Sequence, residues 1–174
     1  MIDGIWLIGF VIGERLCELV LAHRNTARLL AMGAKEFGRA HYSLIVALHA
    51  TWIAGLIILG RNQPVAWPWL AVFIILQAAR LWVIASLGRR WTTRVIVLPR
   101  QSLVARGPYR FVRHPNYLIV ALELAVVPLM LGMPVFAFIF TLLNAGALIH
   151  RIAIENAALT WAADPDAPGS GETA

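Results

Sequence analysis

The chain has 174 residues, of which 60% are hydrophobic and 14% charged, and its formal net charge is +6. Soluble domains carry roughly a quarter charged residues, so this composition excludes an ordinary soluble protein and predicts one embedded in lipid. The basic residues lie in connecting segments and not on a soluble basic face, which argues against nucleic-acid binding.

The predicted elements are membrane-spanning helices, because five stretches approach the roughly 20 mostly apolar residues that a span needs. They are residues 2–22, 42–60, 68–87, 115–131 and 134–159. Gly132 and Pro134 interrupt the last two, which are predicted to form a helical hairpin. The expected fold is an all-α integral membrane protein with about five transmembrane helices in one domain, residues 1–162. The acidic, Pro/Gly/Ser-rich stretch 163–174 is predicted to be a disordered tail.

The loop charges predict how the chain is oriented. Residues 23–41 hold four basic groups and one acid, and residues 88–115 hold seven arginines and no acid. The connection at 61–67 holds only Arg61. The positive-inside rule therefore predicts a multi-pass protein of the inner, cytoplasmic membrane, with the N-terminus outside and both basic segments and the C-terminus in the cytoplasm.

The first predicted span contains ionisable groups, which cost roughly 2.5 to 3.5 kcal/mol each on insertion scales and therefore need a partner or a function. Glu14 and Glu18 lie four residues apart on one helix face. They are either candidate substrate-binding residues or ion-pair partners of Arg15 and Arg80. The single cysteine, Cys17, excludes an internal disulfide and is interpreted as a packing residue.

The last predicted span carries a second polar face. Arg151 and Glu155 are four residues apart, and Asn144 lies seven residues before Arg151 on the same face. At a rise of about 1.5 Å per residue from Pro134, Arg151 is expected about 25 Å along the helix, near the cytoplasmic interface.

The segment GPYRFVRHPNY, residues 107–117, is expected at the same depth. Its Gly-Pro pair predicts a turn, and Pro115 suits the first position of the fourth helix. The helix N-terminus, next to His114, attracts carboxylate or phosphate groups. The alternative is that the arginines of this segment hold anionic lipid headgroups. No group of metal ligands has a useful spacing, so no metal site is predicted.

These motifs together resemble a known family. The run QSLVARGPYRFVRHPNY at 101–117, with RIAIE at 151–155, resembles the isoprenylcysteine carboxyl methyltransferase family, and specifically its small bacterial branch. The segments ERLCEL, HRN and GAKEFGRAHY extend the resemblance over residues 14 to about 160. The resemblance implies a membrane methyltransferase that uses S-adenosylmethionine in a cytoplasmic cofactor pocket below the last helical hairpin.

The resemblance also implies roles for individual residues. Arg151 faces the substrate, and Arg151 and Glu155 are the implied catalytic residues. The implied cofactor contacts are Gln101, Ser102, Leu103, Val104, Tyr109, His114, Pro115, Asn116, Tyr117 and Glu155. The chain departs from the family at Gln101, which is often histidine, and at Asn156, which is often a second glutamate.

The expected reaction is methyl transfer to an oxygen, either a carboxylate or a phenol or enol hydroxyl, of a lipophilic small molecule such as a polyketide-type lipid. The expected partners are this acceptor and membrane lipids. The runners-up are a prenylcysteine carboxyl or phospholipid N-methyltransferase, a related membrane reductase that uses NADPH, and a membrane protein without enzymatic activity.

Overall fold

The computed structural model describes residues 3–99 and 104–163, and within these ranges five long helices dominate. They are α1 (Gly4–Ala31), α2 (Arg39–Gly55), α3 (Trp67–Leu87), α4 (Pro115–Met130) and α5 (Pro134–Ala163). A π-helical segment, Leu56–Gly60, continues α2. Short 3-10 turns occupy Gly88–Arg90 and Gly107–Arg110. Two short strands, β1 (Lys35–Phe37) and β2 (Val95–Val97), pair antiparallel.

The predicted all-α membrane fold is confirmed. Three helical stretches of the described chain are long and apolar enough to cross a membrane: Arg39–Gly60, Trp67–Arg90 and Pro134–Ala163. The shorter apolar helix Pro115–Met130 pairs with the last of them in the predicted hairpin. The first helix is long, but it carries three charged residues in its middle and continues to Ala31, beyond the predicted end of the span at residue 22.

One end of the bundle is closed by tight backbone contacts. The amide of Gly4 donates to the carbonyl of Gln63 at 2.8 Å, and the amide of Ala66 donates to the carbonyl of Met130 at 2.8 Å. A side chain at Gly4 would lie 2.2 Å from the carbonyl oxygen of Gly60, so only glycine allows this approach. Below this end, Trp52 is fully buried and donates from Nε1 to the carbonyl of Leu124 at 3.3 Å.

The opposite end, which we call the basic end, holds the loops between α1 and α2 and between α3 and α4. The sequence did not predict the two strands found there, because three residues are too few to show an alternating pattern. Glu36 of β1 contacts Arg94 at 3.2 Å, and Phe37 packs its ring 5.3 Å from that of Trp161 on α5. The strand pair therefore lies against the end of α5, one side of which carries Arg151.

Candidate functional site

The candidate site begins where the chain enters α4. Gly107 has a φ of +59°, and a side chain there would lie 2.1 Å from the hydroxyl of Ser86, so glycine is required in this turn. Pro115 is the first residue of α4 and has no amide hydrogen to lose. The amides of Tyr117 and Leu118 both donate to the carbonyl of His114, at 3.2 and 3.3 Å. The entry to the helix thus places the side chains of His114 and Tyr117 beside α5.

The hydroxyl of Tyr117 links the two polar residues of α5. Arg151 donates from Nε to this hydroxyl at 2.9 Å, and the hydroxyl in turn donates to Oε2 of Glu155. The guanidinium carbon of Arg151 lies 5.2 Å from the centre of the Tyr117 ring. Within the described residues no direct ion pair joins Arg151 to Glu155, in keeping with the unfavourable order of arginine before glutamate on a helix. A residue from α4 therefore connects the pair.

His114 and Tyr109 complete the surroundings of Glu155. His114 Nδ1 lies 3.6 Å from Glu155 Oε2, and its ring stacks on that of Tyr117 with centroids 5.4 Å apart. Burial raises the pKa of Tyr109, and the negative charge of Glu155 raises it further. Tyr109 is therefore a protonated phenol that can donate a hydrogen bond near Glu155.

Arg151 is also held from the loop before β2. It is 8% exposed, and its Nη2 donates to the backbone carbonyl of Thr93 at 2.7 Å. The hydroxyl of Thr93 lies 3.2 Å from the hydroxyl of Tyr42, which ties this loop to α2. Because a buried guanidinium must satisfy its donors, these contacts fix the direction in which Arg151 points.

The structure thus brings together five residues that the sequence assigned to one site, from two segments of the chain. They are Tyr109, His114, Tyr117, Arg151 and Glu155. Pro115 is buried at the start of α4, and Asn116 and Val104 are partly buried. The predicted contacts Gln101, Ser102 and Leu103 lie outside the described residues, as do residues 164–174 of the predicted tail.

The other predicted site residues, Glu14 and Glu18, lie in a separate charged cluster inside the bundle. The cluster consists of Glu14, Arg15 and Glu18 on α1, Arg80 on α3 and Glu123 on α4. Arg80 Nε lies 3.2 Å from Glu14, and Arg80 Nη2 donates to Glu18 at 2.7 Å. No hydrogen bond or ion pair between described residues joins this cluster to Arg151 or Glu155. This geometry supports the ion-pairing alternative, and substrate binding by the two glutamates stays a prediction.

Two participants were missed at the level of sequence. Glu123 accepts from Arg80, from Arg15 at 2.5 Å and from Gln77 at 3.1 Å. A lone carboxylate in the apolar run NYLIVALELAVV was a signal that could have found it, because an intramembrane charge needs a partner. The second missed participant is the backbone carbonyl of Thr93, which accepts from Arg151. The sequence could not indicate it, because every residue has a backbone carbonyl.

Two further features of the described residues carry no chemistry of this kind. An apolar groove of about 330 Å³ lies between α1 and α3, lined by residues such as Trp6, Phe10 and Phe73. Its lining contains no ionisable group, and Gln77 supplies its polar side chain. Among the described residues, no group of three histidine, cysteine or carboxylate side chains is arranged to hold a metal ion.

The residues present fit the methyl donor that the sequence resemblance implies. The side-chain oxygen of Asn116 is buried and has no hydrogen-bond partner within residues 3–99 and 104–163, so it suits an N–H donor of a ligand. The first free amide of α4 belongs to Asn116 as well, and a helix N-terminus favours a carboxylate. Glu155 supplies a carboxylate for an ammonium group, and Tyr109 supplies an aromatic face for a sulfonium.

Comparison with known proteins identifies the family of the chain. The sequence signature of the isoprenylcysteine carboxyl methyltransferase family matches residues 69–161. The uncharacterized protein YpbQ of Bacillus subtilis is 38% identical over 159 residues, which cover 88% of this chain and 94% of YpbQ. An uncharacterized protein of Haemophilus influenzae is 26% identical over 131 residues, covering 72% of this chain and 73% of that protein. No solved structure gives a significant match. The chain therefore belongs to the isoprenylcysteine carboxyl methyltransferase family, a family of membrane methyltransferases.

Proposed function

We propose that this protein transfers the methyl group of S-adenosylmethionine to an oxygen of a lipophilic small molecule, within the membrane. The observation that carries the proposal is the link from Arg151 through the Tyr117 hydroxyl to Glu155, with His114 alongside. Residues at the start of α4 and on α5 that are more than 30 positions apart in sequence converge there on a partly buried polar site at the basic end.

The side chains of the site divide into those that bind the cationic methyl donor and the one that binds an anionic acceptor. Glu155, with Tyr109 and the N-terminus of α4, binds and orients the methyl donor, which supplies an electrophilic methyl group on a sulfonium. Arg151 cannot act as a base, because guanidinium does not deprotonate in proteins, but it can orient an anionic oxygen of the acceptor. Tyr117 holds Arg151 and Glu155 at a fixed separation. Positioning and exclusion of water are the main contributions such a site can make.

The acceptor is proposed to be a lipophilic molecule with a carboxylate or a phenol or enol hydroxyl, such as a polyketide-type lipid, that enters sideways from the membrane. Large apolar side chains of α3, α5 and the π-helical segment after α2 face outward towards lipid, among them Ile75, Phe138 and Ile58. A lipid-soluble acceptor can therefore reach the interior of the bundle without crossing water.

The basic end is proposed to face the cytoplasm of the cell that bears this protein in its inner membrane. The two basic segments that include the loops at that end, residues 23–41 and 88–115, hold three and seven arginines, and the connection at the closed end holds only Arg61. The positive-inside rule then places the site where S-adenosylmethionine is made. Cysteine labelling at residues 62 and 113 from either side of sealed vesicles would test this orientation.

Ligand stabilisation tests the proposed cofactor. S-adenosylhomocysteine is expected to raise the thermal unfolding temperature of the purified protein in detergent, because a ligand that binds only the folded state stabilises it. NADPH is expected to have no effect at the same concentration. Stabilisation by NADPH and not by S-adenosylhomocysteine would favour the reductase alternative.

Glu155→Ala is expected to weaken the binding of S-adenosylhomocysteine by roughly 10-fold or more. The substitution removes a charged hydrogen-bond acceptor worth about 1.5–3 kcal/mol, and 1.4 kcal/mol is a tenfold change in affinity. Isothermal titration calorimetry measures the difference. Thr160→Ala, one turn further along α5 at an exposed position, is the matched control and should bind as the parent does. An unchanged affinity in Glu155→Ala would show that Glu155 is structural.

A further inference from the structure

The segment before α4 has two sides, and the structure gives them different surroundings. His114 Nδ1 lies 3.6 Å from Glu155, and Tyr109 is close enough to Glu155 for its pKa to be raised by that charge. The four residues between Tyr109 and His114 are all exposed: Arg110, Phe111, Val112 and Arg113. We call these four residues the RFVR loop. The loop takes no part in the site described so far.

Two contacts with α3 fix the depth of the chain that leads into the RFVR loop. Arg106 donates from Nε to the backbone carbonyl of Ser86 at 2.8 Å. A side chain at Gly107 would lie 3.2 Å from Nε1 of Trp82. Both partners belong to the last three turns of the apolar stretch Trp67–Arg90, which is long enough to cross a membrane. The RFVR loop therefore begins at the level where this span ends and the lipid headgroups begin.

The loop exposes two apolar side chains at this level. The amides of Phe111 and Val112 both donate to the carbonyl of Pro108 at 3.1 Å, and Pro108 is buried, so the bend is fixed to the bundle. Phe111 is nevertheless 78% exposed and Val112 43%. Apolar side chains between basic ones are typical of segments that lie in the membrane interface. Phe111 therefore faces the boundary between headgroups and acyl chains.

Two arginines flank these apolar side chains. Within the part of the chain that the structure describes, neither Arg110 nor Arg113 makes a hydrogen bond or an ion pair. The surrounding stretch, residues 88–115, contains no acid. The Cα atoms of the two arginines are at most about 10 Å apart, because three residues span no more than that, so both long side chains can reach one phosphate. A guanidinium binds phosphate through two parallel hydrogen bonds.

We propose that the RFVR loop is a binding surface for the headgroup of an anionic phospholipid in the leaflet at the basic end. The two arginines hold the phosphate, and the apolar side chains between them keep the loop at the level of the headgroups. A zwitterionic lipid adds an ammonium group that repels the guanidinium groups, so the surface favours a lipid of net negative charge. The surface does not depend on the proposed methyl transfer, but a bound lipid holds the outer side of the segment that carries Tyr109 and His114.

Native mass spectrometry of the purified protein in a neutral detergent tests this surface. Phosphatidylglycerol and phosphatidylcholine are titrated separately, and the dissociation constant of the first bound lipid is measured. The parent is expected to bind phosphatidylglycerol more tightly than phosphatidylcholine. Arg110→Gln combined with Arg113→Gln is expected to weaken the binding of phosphatidylglycerol by about 25-fold, at roughly fivefold for each arginine. An unfolding temperature equal to that of the parent shows that the double variant is folded, and the two single variants serve if it is not.

Arg24→Gln combined with Arg28→Gln is the matched control, because both residues are exposed on α1 and the change in charge is the same. This control should bind phosphatidylglycerol as the parent does. An equal weakening in the control would mean that net charge and not the RFVR loop binds the lipid, which overturns the proposal.

Three results for the parent would also overturn the proposal. The first is equal affinity for the two lipids. The second is displacement of phosphatidylglycerol by millimolar inorganic phosphate, which would identify free phosphate as the ligand. The third is a mass of two chains that is lost when Arg110 and Arg113 are replaced, which would make this surface an interface between two copies of the chain.

Discussion

Arg151→Ala is expected to lower methyl transfer by about 10²–10³-fold, the usual cost of removing one positioned donor to a developing oxyanion. Arg151 is buried, and its Nε and Nη2 are held by Tyr117 and by the carbonyl of Thr93. Its direction is therefore set before the acceptor arrives, which is the condition for a large effect on rate. The measurement is transfer of a labelled methyl group from S-adenosylmethionine into the lipid extract of membranes that contain the protein.

Two comparisons show whether the loss of rate comes from the guanidinium of Arg151. Arg151→Lys retains the positive charge but loses the planar fork, so it should recover only a small part of the rate. S-adenosylhomocysteine should still stabilise both variants, because Glu155 and His114 remain in place. Full methyl transfer by Arg151→Ala would refute the role given to Arg151.

Arg80→Met is expected to lower the free energy of unfolding by about 3–5 kcal/mol, because it leaves the three carboxylates of the cluster with Arg15 as their one remaining cation there. Arg80 is 3% exposed and contacts Glu14, Glu18 and Glu123 on two neighbouring helices. Methionine keeps much of the volume, so the loss reports charge and not packing. Unfolding in sodium dodecyl sulfate, followed by tryptophan fluorescence, measures the change in the free energy of unfolding.

Two further variants show whether the loss of stability comes from the charge of Arg80. Arg61→Met, at an exposed position in the connection at the closed end, is the control and should change stability by less than about 0.5 kcal/mol. Arg80→Met combined with Glu18→Gln removes one of the carboxylates that lost Arg80 and should recover part of the loss. A stability of Arg80→Met equal to that of the Arg61 control would mean that the cluster contributes nothing to the fold.

The membrane fold could be predicted because it depends on a property that is local in sequence. Runs such as TWIAGLIILG and WPWLAVFIIL belong to apolar stretches of about 20 residues. Such stretches are too hydrophobic to be exposed to water, and this holds whichever segments they pack against. The helical hairpin formed by α4 and α5 was also predictable, since Gly132 and Pro134 interrupt the helical pattern within three residues. The two strands at the basic end were not, because their stability comes from pairing over almost 60 positions of chain.

Part of the candidate site could also be predicted, because the spacing of residues within one helix is local in sequence. Arg151 and Glu155 share a helix face by spacing alone, and Pro115 marks the start of α4. Spacing put Arg151 and Glu155 on one helix face, but it did not show that the hydroxyl of Tyr117 lies between them. Hydrogen bonds between helices depend on how the helices are rotated and at what depth they meet, and a single helix does not contain that information.

The sequence by itself determined that this chain lies in a membrane, where four of its five long helices begin and end to within about a turn, and that charged groups within them need partners. Only the tertiary structure decided which partners those are. It assigned Glu14 and Glu18 to Arg80 and placed the hydroxyl of Tyr117 between Arg151 and Glu155. The physical reason is that apolar periodicity is a property of each segment, whereas pairing of buried polar groups requires several segments to meet at one depth.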